Sequence, residues 1–204
     1  MFGEFGIKPE QRVAVYIDFH SISYATMSST GQTLDYVSVR EYLEDNLNLL
    51  RIKAYATQLN NTDHTDNIRP ITDFLDYNGY HVVRTGVKSR NYSKSDNSNQ
   101  TYYDVVYPQM TADMVYNAEN ADVIIVMTAS ENMIPAIETA MARGTRVHVM
   151  FPRDKEKVYI PDRMLRISDG FINFKLMLDD MSETDYNPYR PQQQAPAKQE
   201  DTAA

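Results

Sequence analysis

Two short apolar runs constrain this chain more than any other feature: VAVYI at 13–17 and VIIVM at 123–127. Neither alternates between apolar and polar residues. A strand of that kind must be covered on both faces, as strands in the middle of a parallel sheet are. The segments around them keep switching character. Arg12–Asp18, Arg51–Thr57, Tyr80–Thr85, Asp122–Thr128 and Thr145–Phe151 read as strands, with Phe171–Phe174 as a last short one. Ser38–Leu50, Asp66–Tyr77, Tyr103–Ala118 (with Pro108 disturbing it) and Asn132–Arg143 read as helices. Ser38 with Glu41 makes a capping box, and Gly79 and Gly144 stand where helices stop. Strands alternating with helices predict βαβ crossovers and a mostly parallel central sheet in an α/β fold.

Composition narrows the classes. At 204 residues and 42 % apolar content the chain can bury a core. It has no cysteine, so disulfides, thiolate zinc sites and thiol nucleophiles are excluded, and a reducing cytoplasm is the expected location. No apolar run reaches the ~18–20 residues of a membrane span. The first residues, with Glu4, Lys8, Pro9 and Glu10, do not read as a signal peptide. The net charge is −8; residues 179–204 carry six acids and two bases, leaving about −4 on the body. Such a body meets nucleic acid through a local basic patch or through metal ions. Residues 1–11 read as an extension, and 179–204, rich in Pro, Gln and charge, as a disordered tail that can recruit a protein partner.

In open α/β sheets ligands bind beyond the carboxyl ends of the strands. The first strand ends in Asp18, followed by Phe19-His20-Ser21, and the fourth in Thr128-Ala129-Ser130-Glu131-Asn132. Asp113 falls inside the apolar stripe Val106, Met110, Met114, Asn117. A carboxylate there needs a cation, a metal or several donors, unless it sits at the rim and reaches water or an arginine. Asp104 either caps that helix or, if the chain bends at Pro108, joins Asp113. Lys88, Arg90, Tyr92 and Lys94 lie in the polar stretch 88–100 and suit an RNA strand by phosphate contact and stacking, or are a solvated loop. His20 is a lone base candidate. No glycine-rich phosphate loop exists, and Ser130 lacks the glycines of a nucleophile elbow.

VAVYIDFHSIS, YNGYHVV at 77–83, Tyr103-Asp104-Val105-Val106 followed by Asp113, DVIIVMTASENMIPAIETAMARGTRVHVM and LRISDGFINF together resemble the NYN domain family. Within it they are similar to the LabA-like proteins of the PIN-like nuclease superfamily. The resemblance implies a three-layer, Rossmannoid PIN-like domain over 12–178, RNA as substrate class, and carboxylates holding Mg²⁺ or Mn²⁺ for phosphodiester hydrolysis. Asp18 matches the first-strand acid, Asp113 the second acid of the helix and Asp104 the first, with about three extra residues around Pro108 between them. The family turn, typically Ser-Gly-Asp-Ser-Asp, is Thr128-Ala129-Ser130-Glu131-Asn132 here. Ser130 and Asn132 replace its aspartates, and Glu131 falls between them. The site therefore loses about two charges and should hold a divalent ion more weakly. Expected from this resemblance is an RNA-interacting domain with a degenerate site, Asp18, Asp113, Glu131 and Asn132 being its metal-ligand candidates. An active metal-dependent ribonuclease using Asp18, Asp104 and Asp113 and a non-catalytic interaction or assembly module, including a homo-oligomer, are the alternatives.

Overall fold

The computed structural model of the chain describes residues 1–58, 68–86, 88–91, 100–103, 106–154 and 157–189. Six parallel strands form the central sheet: β1 (Arg12–Asp18), β2 (Asn48–Gln58), β3 (His81–Gly86), β6 (Val123–Met127), β7 (Arg146–Phe151) and β8 (Gly170–Asn173), in the order β3-β2-β1-β6-β7-β8. A separate antiparallel pair, β4 (Lys88–Asn91) and β5 (Gln100–Tyr103), occupies part of the stretch read as a polar loop. Helices α1 (Phe19–Thr30), α2 (Tyr36–Asn46), α3 (Ile68–Tyr77), α4 (Val106–Asn117), α5 (Ile134–Ala142), α6 (Asp162–Ile167) and α7 (Phe174–Ser182) cover both faces.

The two apolar runs lie where their composition demands. β1 is buried from Val13 to Asp18, and β6 along its whole length. They pair with each other in the middle of the sheet, Val13 opposite Val123 through Ile17 opposite Met127. An Arg12–Asp122 ion pair at 3.1 Å ties their entrances together.

Tyr103, expected in the helix, pairs in β5, and Phe174, expected in the last strand, begins α7; three further boundaries differ for a tertiary reason. α2 starts at Asp35, whose carboxylate accepts the Val37 N–H (3.0 Å), and not at the Ser38–Glu41 box. Its buried residues Tyr36, Val39, Tyr42 and Leu43 set that register. The helix stops at Asn46, because Asn48 and Leu49 pair with Arg12 and Val13 of β1. The ordered body also runs past residue 178. α7 buries Phe174, Met177, Leu178 and Met181 at helical spacing, leaving Asp179 exposed, while Asp180 accepts the hydroxyl of buried Tyr42. Beyond it the Tyr186 hydroxyl donates to Asp45, the Asp35 N–H donates to the Pro188 carbonyl (2.8 Å), and Tyr189 bridges to Leu34. Residues 190–204 lie outside the described part.

Met181 is fully buried although it lies beyond the expected end of the domain. Met181→Ala should lower the unfolding free energy by about 2–4 kcal/mol in urea titration. A change within ~0.5 kcal/mol, the range of surface substitutions, would mean that α7 is not part of the core.

Candidate functional site

The order of the sheet reverses between β1 and β6, and a crevice opens at their carboxyl ends. Asp18, the last residue of β1, lies there at 4 % exposure. One carboxylate oxygen caps α1 by accepting the Ser21 N–H at 3.1 Å. The other accepts the hydroxyls of Tyr107 on α4 and of Thr128 just after β6, each at 3.1 Å. A buried carboxylate is costly unless hydrogen-bonded, and here three donors and a helix N-terminus meet it. Thr128, itself fully buried, also accepts the Ser130 N–H at 3.2 Å. The Ser130 hydroxyl in turn accepts the Asn132 N–H at 3.3 Å and caps a 3-10 turn over Glu131–Met133. Ser130 is thereby engaged in local turn chemistry, while Glu131 and Asn132 are exposed.

Asp113 has different partners. Its carboxylate takes the Lys53 ammonium at 3.0 Å, the Tyr55 hydroxyl at 2.7 Å and the Gln109 amide at 3.4 Å. Burial works against its charged form. The hydrogen bonds from Tyr55 and Lys53 and the charge of Lys53 outweigh this, so its carboxyl sits below the usual range. The same contact, after burial, pushes the Tyr55 hydroxyl well up. Burial is also the main reason that Tyr16 is pushed up to about 12. One turn on, Asn117 accepts from Arg51 and donates to the Asp113 carbonyl (2.6 Å). Asp113 lies six residues beyond Tyr107, about 9 Å along the helix. No described contact joins Asp113 to Asp18.

The other candidates divide plainly. Asp104, Tyr92 and Lys94 lie outside the described residues. Lys88 and Arg90 are on β4, opposite Tyr103 and Thr101. His20 accepts the Thr57 N–H on Nε2 at 3.1 Å, tying α1 to the end of β2. Beside Asp18, Tyr107, Pro108 and Thr111 of α4 face Asn132 and Pro135 across a cleft of about 370 Å³. Sequence reasoning missed Tyr107, Thr111 and Lys53. Tyr107 and Thr111 are one turn apart, next to the stripe that the periodicity did find. Nothing in the spacing pointed to Lys53.

A parallel α/β sheet with a buried acid at its switch point defines a Rossmannoid domain of the PIN-like kind. The family model for the NYN domain matches residues 12–179, and the chain belongs to that family, within the PIN-like nuclease superfamily. A crystal structure of a protein of unknown function, VPA0982 from Vibrio parahaemolyticus, is similar over 81 % of this chain and 94 % of that one. Its TM-score is 0.59 and its identity 16 %, which bears on the fold alone. A crystal structure of Sa239 overlaps at a TM-score of 0.40 with 12 % identity, covering 84 % of this chain and 68 % of that one, too loosely to inform the fold. No curated protein matches the chain.

PIN-like nucleases generally use divalent metals, so the donors present are the test. Among the described residues no three His, Cys, Asp or Glu side chains are placed to hold a metal ion. Both Asp18 oxygens already accept protein donors, Asp113 is neutralised by Lys53, and Ser130 and Asn132 are neutral. The described donor set does not fit a tightly held Mg²⁺ or Mn²⁺.

Two stability measurements follow. Asp18→Ala, which removes the α1 cap to Ser21 and the hydrogen bonds from Tyr107 and Thr128, should lower stability by about 2–3 kcal/mol in denaturant titration. Lys53→Met should lower it by about 1–2 kcal/mol at pH 7. Because the folded-state pKa of Asp113 is depressed, its contribution is full above the ordinary carboxyl range and is lost as pH falls through the folded value. The gap between wild type and Lys53→Met should therefore narrow below about pH 4; a constant gap would show that the ion pair is not its source.

Proposed function

We propose that this NYN domain holds single-stranded RNA at the carboxyl edge of its sheet and cleaves it weakly or not at all. The observation that carries this reading is the commitment of Asp113 to Lys53 and Tyr55, together with neutral Ser130 and Asn132 in the turn after β6. Asp18 then stands as the buried carboxylate of the described strand ends, held by hydroxyl and amide donors. Among the described residues no group of three acids or histidines is placed to hold a metal there, and a lone carboxylate is a poor template for metal-assisted water activation. Lys88, Arg90, Tyr92 and Lys94 supply phosphate contacts and a stacking ring to a strand passing the crevice. The absence of cysteine suits a reducing cytoplasm as the place of action.

The test is binding and cleavage of mixed single-stranded and structured RNA in Mn²⁺, against EDTA and against Asp18→Asn. Salt-dependent binding without Mn²⁺-dependent cleavage is expected. Replacing Lys88, Arg90 and Lys94 by alanine should flatten the log–log salt dependence by about 0.7 for each phosphate that is no longer neutralised. Cleavage abolished by both EDTA and Asp18→Asn would overturn the reading in favour of an active ribonuclease. Failure to bind any RNA would overturn it in favour of a protein-interaction or assembly module.

A further inference from the structure

Next to Asp18, the α4–α5 cleft has a chemistry unlike that of a phosphate site. Among the described residues its lining is Tyr107, Pro108, Thr111, Asn132 and Pro135, with no cationic side chain. Tyr107 also donates to Asp18, so the nearest formal charge on that wall is negative. A phosphate would meet a carboxylate there and no counter-charge. An uncharged planar ring meets flat partners instead: the tyrosine ring and two proline rings. Among the described residues that line it, the exposed polar side chain is the Asn132 amide. Its backbone N–H is taken by Ser130, but the amide has no hydrogen-bond partner among the described residues. A primary amide donates and accepts together, which is the pattern that reads the edge of a nucleobase. At about 370 Å³ the cleft is at the small end of ligand pockets, suited to a base with its ribose.

Its walls are also held in place. Tyr107 is fixed by its hydroxyl, Thr111 donates to the Met133 sulfur at 3.8 Å, and Asn132 is set by the Ser130 cap. We propose that the α4–α5 cleft is a nucleobase subsite, in which Tyr107, Pro108 and Pro135 pack on one unstacked base and Asn132 reads its edge. The proposal rests on the RNA-binding reading and deepens it. The cleft recognises the base.

The experiment is a ¹H–¹⁵N NMR titration of the whole chain with the four ribonucleosides, with ribose 5-phosphate and inorganic phosphate as the contrasting probes. At least one nucleoside should shift the amides of Thr111 and Asn132 in the millimolar range, and neither phosphate probe should. Asn132→Leu keeps the branched side-chain shape at an exposed position while removing its donor and acceptor, and should weaken the preferred nucleoside about tenfold while changing the ranking among bases; Pro108→Ala should weaken all four. If no nucleoside shifts these amides, or ribose 5-phosphate shifts them equally, the subsite is overturned. Oligonucleotide binding separates the two readings. RNA bound equally well by wild type, Asn132→Leu and Pro108→Ala would overturn the subsite and keep the RNA reading. Nucleosides bound in the cleft by a chain that binds no RNA oligonucleotide would keep the subsite and overturn the RNA reading.

Discussion

A carboxylate withdrawn from water at the end of a central strand must be surrounded by donors, and Asp18 obtains them from every element that meets at the crevice. Its hydrogen bonds join the end of β1 to the start of α1, to α4 through Tyr107, and to the segment leaving β6 through Thr128. The rest of the edge depends on this junction. Thr128 hands the connection to Ser130, and Ser130 sets the turn that carries Glu131 and Asn132 into α5. The acid that marks the site is thus also the element that positions both walls of the neighbouring cleft.

The face of the sheet beneath α4 is unusually polar for a buried surface. Arg51, Lys53 and Tyr55 alternate along β2, and Tyr16 and Asp18 lie beside them on β1 in matching register. Asp113, Asn117 and Tyr107 of α4 answer them. Polar pairing of this kind orients a helix more specifically than apolar contact, because a rotated or shifted α4 would leave a buried charge unmatched. The Asp113 carboxylate is engaged by Lys53 and Tyr55, so its charge is already met within the fold.

Much of the architecture is legible in the sequence because burial on two faces leaves a compositional mark. VAVYI and VIIVM are recognisable as neighbours in the sheet interior, and Val106, Met110, Met114 and Asn117 as the inner face of α4. Less legible is whatever depends on a partner distant in sequence. The residues after Asn46 continue a helical apolar spacing, yet they pair with β1, since extending a central sheet satisfies more backbone groups than another turn of helix. The stretch 89–100 reads as a polar loop because an isolated antiparallel pair needs no apolar pattern. The acids near residue 180 suggest a tail, although the buried Phe174, Met177, Leu178 and Met181 have the spacing of a docked helix.

By itself the sequence determined the α/β alternation, the identity of the central strands, and the presence of an acid at the end of β1 and of Ser130, Glu131 and Asn132 in the turn after β6. These follow from local periodicity and residue chemistry. What only the tertiary structure decided was the partner of each polar group. Lys53 is 60 positions from Asp113, and Thr128 is 110 from Asp18. No local pattern encodes such pairings, because they exist only once parallel strands have fixed the register and α4 has settled on their face. The geometry sets which donors each carboxylate meets: Asp18 is held by Ser21, Tyr107 and Thr128 at the end of β1, and Asp113 by Lys53 and Tyr55 of β2.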